Sequence, residues 1–114
     1  MAAAKHNITA EQGTTFYLNF QLKSDGVGWN LSNYEGRMQV RPSVAASETY
    51  LSLSTTTGEI TMDSSGNVAV TVDADTMADV IAGRHVYDFE VESSGGEVWR
   101  VIEGKFVVKA EVTR

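Results

Sequence analysis

Three carboxylates, Asp88, Glu90 and Glu92, alternate with apolar residues in the run HVYDFEVE. On a strand they stand roughly 6.8 Å apart along one face. Two carboxyls at about that distance suit an inverting glycosidase, where one protonates the leaving oxygen and the other activates water. That reaction also needs a cleft and one carboxyl with a raised pKa, and an alternating strand face offers no cleft. The acids therefore read as a wet or partner-facing surface. Arg37 and Arg41 alternate in the same way in GRMQVRP. They can pair with the acids if the two strands are neighbours, each exposed pair being worth roughly 0–1 kcal/mol.

Other groups are weaker as chemistry. Asp73, Asp75 and Asp79 in DADTMADVIAG lack the glycine and the closing acid of an EF-hand loop, and capping of a helix explains Asp73 or Asp75 more simply. The two imidazoles, His6 and His85, are far apart in the chain. A nucleophilic triad needs three groups converging beside an oxyanion hole, and nothing in the spacing brings them together. Trp29, Tyr34 and Trp99 could form a carbohydrate platform, but in a sandwich large aromatics more often fill the core or cover its ends. Trp99 lies on a strand with apolar residues on both faces, so that strand is either central or covered by a partner. The candidate interface residues are thus Trp99, Arg37, Arg41, Asp88, Glu90 and Glu92. No catalytic, metal-binding or cofactor-binding residue is expected.

The bulk properties agree with a binding or structural role. The chain of 114 residues suggests one domain, and its net charge of −6 argues against a basic nucleic-acid-binding face or an anionic membrane surface. It has no cysteine, so neither disulfides nor thiolate metal sites are available. No apolar run approaches the ~20 residues of a membrane span, and MAAAKHNITA does not read as a signal peptide. Residues 1–7 read as a flexible arm and 8–114 as a single domain.

The elements that would position these residues are short strands of period two. FYLNFQLK puts Phe16, Leu18, Phe20 and Leu22 on one face. GRMQVRP puts Met38 and Val40 together, and ETYLSLS does the same with Leu51 and Leu53. Glu59–Met62 and Asn67–Val72 form a hairpin across Asp63-Ser64-Ser65-Gly66. DADTMADVIAG predicts one or two helical turns, with Met77, Val80 and Ile81 on one face and Gly83 as the stop. A last hairpin joins His85–Glu92 to a strand from Glu97 to about Lys109, with a bulge expected at Gly104. The fold class is all-β: an immunoglobulin-like Greek-key β-sandwich with one short connecting helix near residues 74–82. An open barrel is the alternative.

The order of these pieces resembles a family of small tailed-phage virion structural proteins, similar in pattern to the N-terminal domains of phage baseplate and receptor-binding-protein adaptors. The residues that carry it are Ile8 and Gly13; Asn30-Leu31-Ser32-Asn33-Tyr34 with Arg37 and Arg41; and Thr76 to Gly83. They continue with Tyr87-Asp88-Phe89-Glu90; Arg100, Ile102 and Gly104; and Glu111-Val112-Thr113-Arg114. Asn30 and Ser32-Asn33 stand where the family has Asp and Thr-Gly before the tyrosine. The resemblance spans nearly the whole chain and brings no catalytic residue and no cofactor. It implies a non-enzymatic virion protein, assembled in the host cytoplasm, acting through contacts with other phage virion proteins and copies of itself in the tail, baseplate or neck. It implies no nucleic-acid or membrane partner. A capsid decoration or cement protein is one alternative, and a carbohydrate-binding module is another.

Overall fold

A computed structural model describes residues 3–113 and shows an all-β sandwich with one short helix. Among the described residues there are eleven strands. In chain order they are β1 (Ala4–Lys5), β2 (Ile8–Glu11), β3 (Phe16–Gln21), β4 (Lys23–Ser24), β5 (Val27–Gly28) and β6 (Glu35–Arg41), followed by β7 (Leu51–Ser54), β8 (Ile60–Met62) and β9 (Asn67–Val72). Helix α1 (Ala74–Ala78) then leads to β10 (Gly83–Glu92) and β11 (Val98–Lys109).

One sheet runs β1-β11-β10-β6-β7, with β2 also on β11, and the other runs β3-β9-β8. The first strands lie parallel to the last, the third crosses to the opposite sheet, and β10 sits between β6 and β11 in antiparallel register. That is the strand order of an immunoglobulin-type Greek key, with an extra strand beside β6. β4 and β5 form a tight hairpin whose corner, Asp25-Gly26, has φ of 52° and 79°. Two left-handed residues in succession make the turn that matches strand twist.

Alternation builds the core. Met38 and Val40 of β6, Val68, Val70 and Val72 of β9, and Tyr87, Phe89 and Val91 of β10 are all buried between the sheets. Phe89 meets Phe20 of the opposite sheet edge to face, with centroids 5.3 Å apart. Leu31 enters from the loop before β6 and is buried. Its N–H donates to the Asp63 carbonyl, and the side chain of Asn30 accepts from the Ser32 N–H. Asn30 thus makes the side-chain-to-backbone turn that an aspartate would make at that point.

Three expectations need correction. The helix covers five residues and ends early: Asp79 N–H donates to the Thr76 carbonyl, tightening the last turn. Met77 and Val80 are buried while Ile81 is exposed, and Gly83 opens β10 opposite Val108 instead of stopping the helix. Second, the bulge is not at Gly104. The register of β10 against β11 shifts between Phe89/Ile102 and Glu90/Arg100, so Val101 is the extra residue. Val101 and Ile102 are consequently both buried, which accounts for the two apolar faces of that strand. Third, of the stretch 1–7 that reads as an arm, residues 1–2 lie outside the described residues, and Ala4–Lys5 form β1, which pairs parallel to β11 at Ile102 and Glu103.

Gly104 has a different use. A Cβ placed there would lie 2.2 Å from the His6 carbonyl oxygen. That carbonyl accepts from the Tyr87 hydroxyl at 2.6 Å, and burial pushes the Tyr87 phenol up to about 12, so it remains a donor. The missing side chain lets the chain between β1 and β2 sit directly on β11. Gly104→Ala is therefore expected to cost about 1–3 kcal/mol, the usual range for forcing atoms into a packed site, and to loosen β1. Trypsin should cleave after Lys5 faster in the variant than in the parent; equal rates would contradict the close-approach role.

Candidate functional site

The outward faces of β6, β10 and β11 carry the candidate residues. Register places Glu90 between Arg37 of β6 and Arg100 of β11. Arg37 contacts Glu92 at 2.5 Å, Glu90 at 3.6 Å and Glu35 at 4.0 Å. Arg100 contacts Asp88 at 3.1 Å and Glu90 at 3.5 Å. The three acids singled out in the sequence thus share two guanidinium groups across three strands. Arg41 makes no ion pair with them, and only its charge reaches Asp88. It lies opposite Val86, past the last acid of β10, and donates to the Ala46 and Ser47 carbonyls and to Gln39 Oε1. Its work is to hold the loop after β6.

The pattern contains two like-charge oppositions. Glu92 faces Glu35 and Asp88 faces Glu103 directly across the ladder. Such pairs repel, and each has a cation beside it. Arg37 stands between the first two. In the second, Arg100 takes Asp88 and Lys5 pairs with Glu103. Lys5 and Glu103 were not singled out in the sequence, because their meeting depends on the parallel β1–β11 contact and on the bulge.

The protonation of these groups follows from their surroundings. Hydrogen bonding to Glu92, together with the nearby acids, raises the Arg37 pKa against the opposing effect of burial. Burial raises the Asp88 carboxyl above its ordinary value, and Arg100 offsets this only in part. Lys5 lowers Glu103. A shallow depression beside this face is lined by Arg41, Val44, Asp88, Arg100 and Glu103 among others. It is open to solvent, and the acids around it are held in ion pairs. Such a face can present complementary charge to a partner.

At the end of the sandwich, Trp29, Tyr34 and Trp99 come together. Trp29 meets Tyr34 at 5.4 Å and Trp99 at 5.5 Å, both edge to face, and Tyr34 meets Trp99 at 6.0 Å. All three rings are partly buried and pack against the core. Their edges and faces satisfy one another, as expected of a lid over the core.

The remaining candidates stay separate. Asp73 caps α1, accepting from the Thr76 N–H at 2.8 Å. Among the described residues no group of three or more His, Cys, Asp or Glu is placed to hold a metal ion. His85 is buried; its Nε2 donates to the Ile81 carbonyl at 2.6 Å, and its ring rests against Tyr50. His6 lies on the far side of β11, where its N–H donates to the Glu103 carbonyl.

No family model matches the chain, and no curated protein matches it. Among solved structures, the N-terminal domain of phage TP901-1 ORF48 is similar, with a TM-score of 0.58 and 14% sequence identity. The match covers 91% of this chain and 85% of that one. At that identity the likeness shows a shared fold.

Opposite shifts give a test by pH. The raised Asp88 pKa means its charge is tolerated less well in the folded state, so its contribution is fully present below the ordinary aspartate value and fades as pH rises through the folded value. Asp63 is the reverse. Hydrogen bonds from Asn67, with those from the Ser65 and Gly66 amides, lower its pKa. Its contribution is present above the ordinary value, about 3.9, and is lost as pH falls through the depressed one. Asp88→Asn should be as stable as the parent or more so at pH 7, with the gap closing in acid. Asp63→Asn should melt lower at pH 7, and its deficit should shrink in acid. Melting curves at pH 7 and pH 3 check both signs.

Proposed function

We propose that the chain is a non-enzymatic structural protein of a tailed-phage virion that works by protein–protein contacts in the tail, baseplate or neck. The observation that carries this is the fold shared, over nearly the whole chain, with a domain of a phage protein. The same fold serves many functions, so the surface adds the second support. The carboxylates are engaged by Arg37, Arg100 and Lys5 across the outward face of the sheet. A general acid needs an isolated, protonated carboxyl aimed at a bound substrate, whereas a docking face needs fixed charges of both signs.

The partners in this reading are other virion proteins and further copies of the chain. Ion pairs at such a face give specificity more than affinity. Trp99 closes the sandwich with Trp29 and Tyr34, and partner contact at that end would cover the lid.

Mass spectrometry of gradient-purified particles is expected to find the protein in many copies per virion. Antibody labelling should then fall on the tail, baseplate or neck; label on the head surface would transfer the proposal to capsid decoration. A protein present in the infected-cell lysate and absent from particles would overturn the reading. Specific binding on a glycan array that is lost in Trp99→Ala would favour a carbohydrate-binding module instead.

A further inference from the structure

The longest free strand edge in the smaller sheet is β3. Among the described residues it pairs with β9 on one side and with no strand on the other. The hydrogen-bond direction can be read from its neighbours. Thr71 N–H donates to Glu59 on the β8 side, whereas Leu22 N–H donates to Gly66 across the β3–β9 side. Main-chain groups alternate in direction along a strand. Phe16, Leu18 and Phe20 therefore bond to β9, and the N–H and C=O groups of Tyr17, Asn19 and Gln21 point to the open edge.

This edge lacks the usual protection. Phe16–Gln21 contains no charge and no proline, and its pairing with β9 is unbroken by a bulge. The core is also uncovered along it. Val68, Val70 and Val72 of β9 are at most 2% exposed, while Leu18 and Phe20, which point the same way from β3, are only half-buried. Tyr17 is 66% exposed. The open edge faces a groove whose other wall is β2.

We infer that this edge pairs, antiparallel and about a two-fold axis, with β3 of a second copy of the chain, doubling the three-stranded sheet. A second copy is the occupant that the flanking charges fit. Two chains each carrying −6 repel over most of their surfaces, and β3 is an uncharged stretch. Opposite charges flank it: Glu11, at the end of β2 and opposite Lys109 in the β2–β11 ladder, lies before the turn into β3, and Lys23 lies just after its end. Neither makes an ion pair with another described residue. Antiparallel pairing brings the Lys23 end of each copy to the Glu11 end of the other. The two-fold also satisfies the strand chemistry, because Tyr17, Asn19 and Gln21 then face the same residues of the partner. Pairing centred on Leu18 sets Tyr17 against Asn19; pairing centred on Asn19 sets Asn19 against itself.

This inference names one partner within the assembly role proposed above and rests on that role for its purpose. A single strand pair is smaller than the 1,200–2,000 Å² typical of a stable complex. The contact is therefore weak between free chains and strengthened when neighbours hold several copies together.

The test is made on the whole chain. In NMR spectra recorded up to roughly millimolar concentration, the amide resonances of Tyr17, Asn19 and Gln21 should shift with concentration, while those of β7, an edge strand of the larger sheet, stay fixed. The chain has no cysteine, so an introduced thiol can form only an intermolecular disulfide. Asn19→Cys, alone or mixed with Tyr17→Cys, should cross-link faster than Ser52→Cys on β7. Unshifted β3 amides in the parent protein together with cross-linking no faster than that of Ser52→Cys would overturn the inference. Cross-linking of Asn19→Cys in particles exclusively to a different protein would also overturn it. Protein found in virions with a free β3 edge would reject self-pairing alone. Self-pairing by a protein absent from virions would reject the virion role alone.

Discussion

The alternation of β10, hydrogen-bonded on both sides, is the constraint from which the rest of the molecule follows. Tyr87, Phe89 and Val91 point into the sandwich, and Asp88, Glu90 and Glu92 must then point out. Phe89 is fully buried against Phe20, and Gly36 of β6 leaves room for its ring, since a Cβ there would lie 3.1 Å from it. A slip of one residue would send the acids into the core. Core packing and the charged face are therefore two consequences of one register.

The charged face contributes little to stability for its size. Its paired side chains on β6, β10 and β11 are 27–53% exposed and Lys5 is 78% exposed, and ion pairs in that setting are worth about 0–1 kcal/mol each. What it provides is arrangement. Glu35 beside Glu92 and Asp88 beside Glu103 are tolerated because Arg37, Arg100 and Lys5 fall next to them. Lys5 comes from the first residues of the chain, so the parallel seam of β1 on β11 completes the charge pattern as well as the sheet edge.

Much of this was legible in the residues themselves. Period-two alternation located β3, β6, β9 and β10, and Asp63 to Gly66 marked the β8–β9 turn. Asp73 was readable as a helix cap because its side chain needs only the local Thr76 amide. The bulge was not legible: Arg100, Val101 and Ile102 are all good strand residues, and only the tertiary register shows which is extra. Gly104 drew attention to the right strand for a different reason, the close approach of a backbone distant in sequence. The salt network was half visible. Arg37 faces the acids because β6 neighbours β10, whereas Arg41, two turns of the same alternation further on, lies beyond them. The meeting of Trp29, Tyr34 and Trp99 required the Greek-key return that brings β11 beside the loop before β6.

Native-state hydrogen exchange tests the central role of β10 most directly. If that strand organises the molecule, the amides of Tyr87 to Val91 should be the slowest to exchange and should open only with global unfolding. Exchange on β10 as fast as on β7 or β1 would contradict the account.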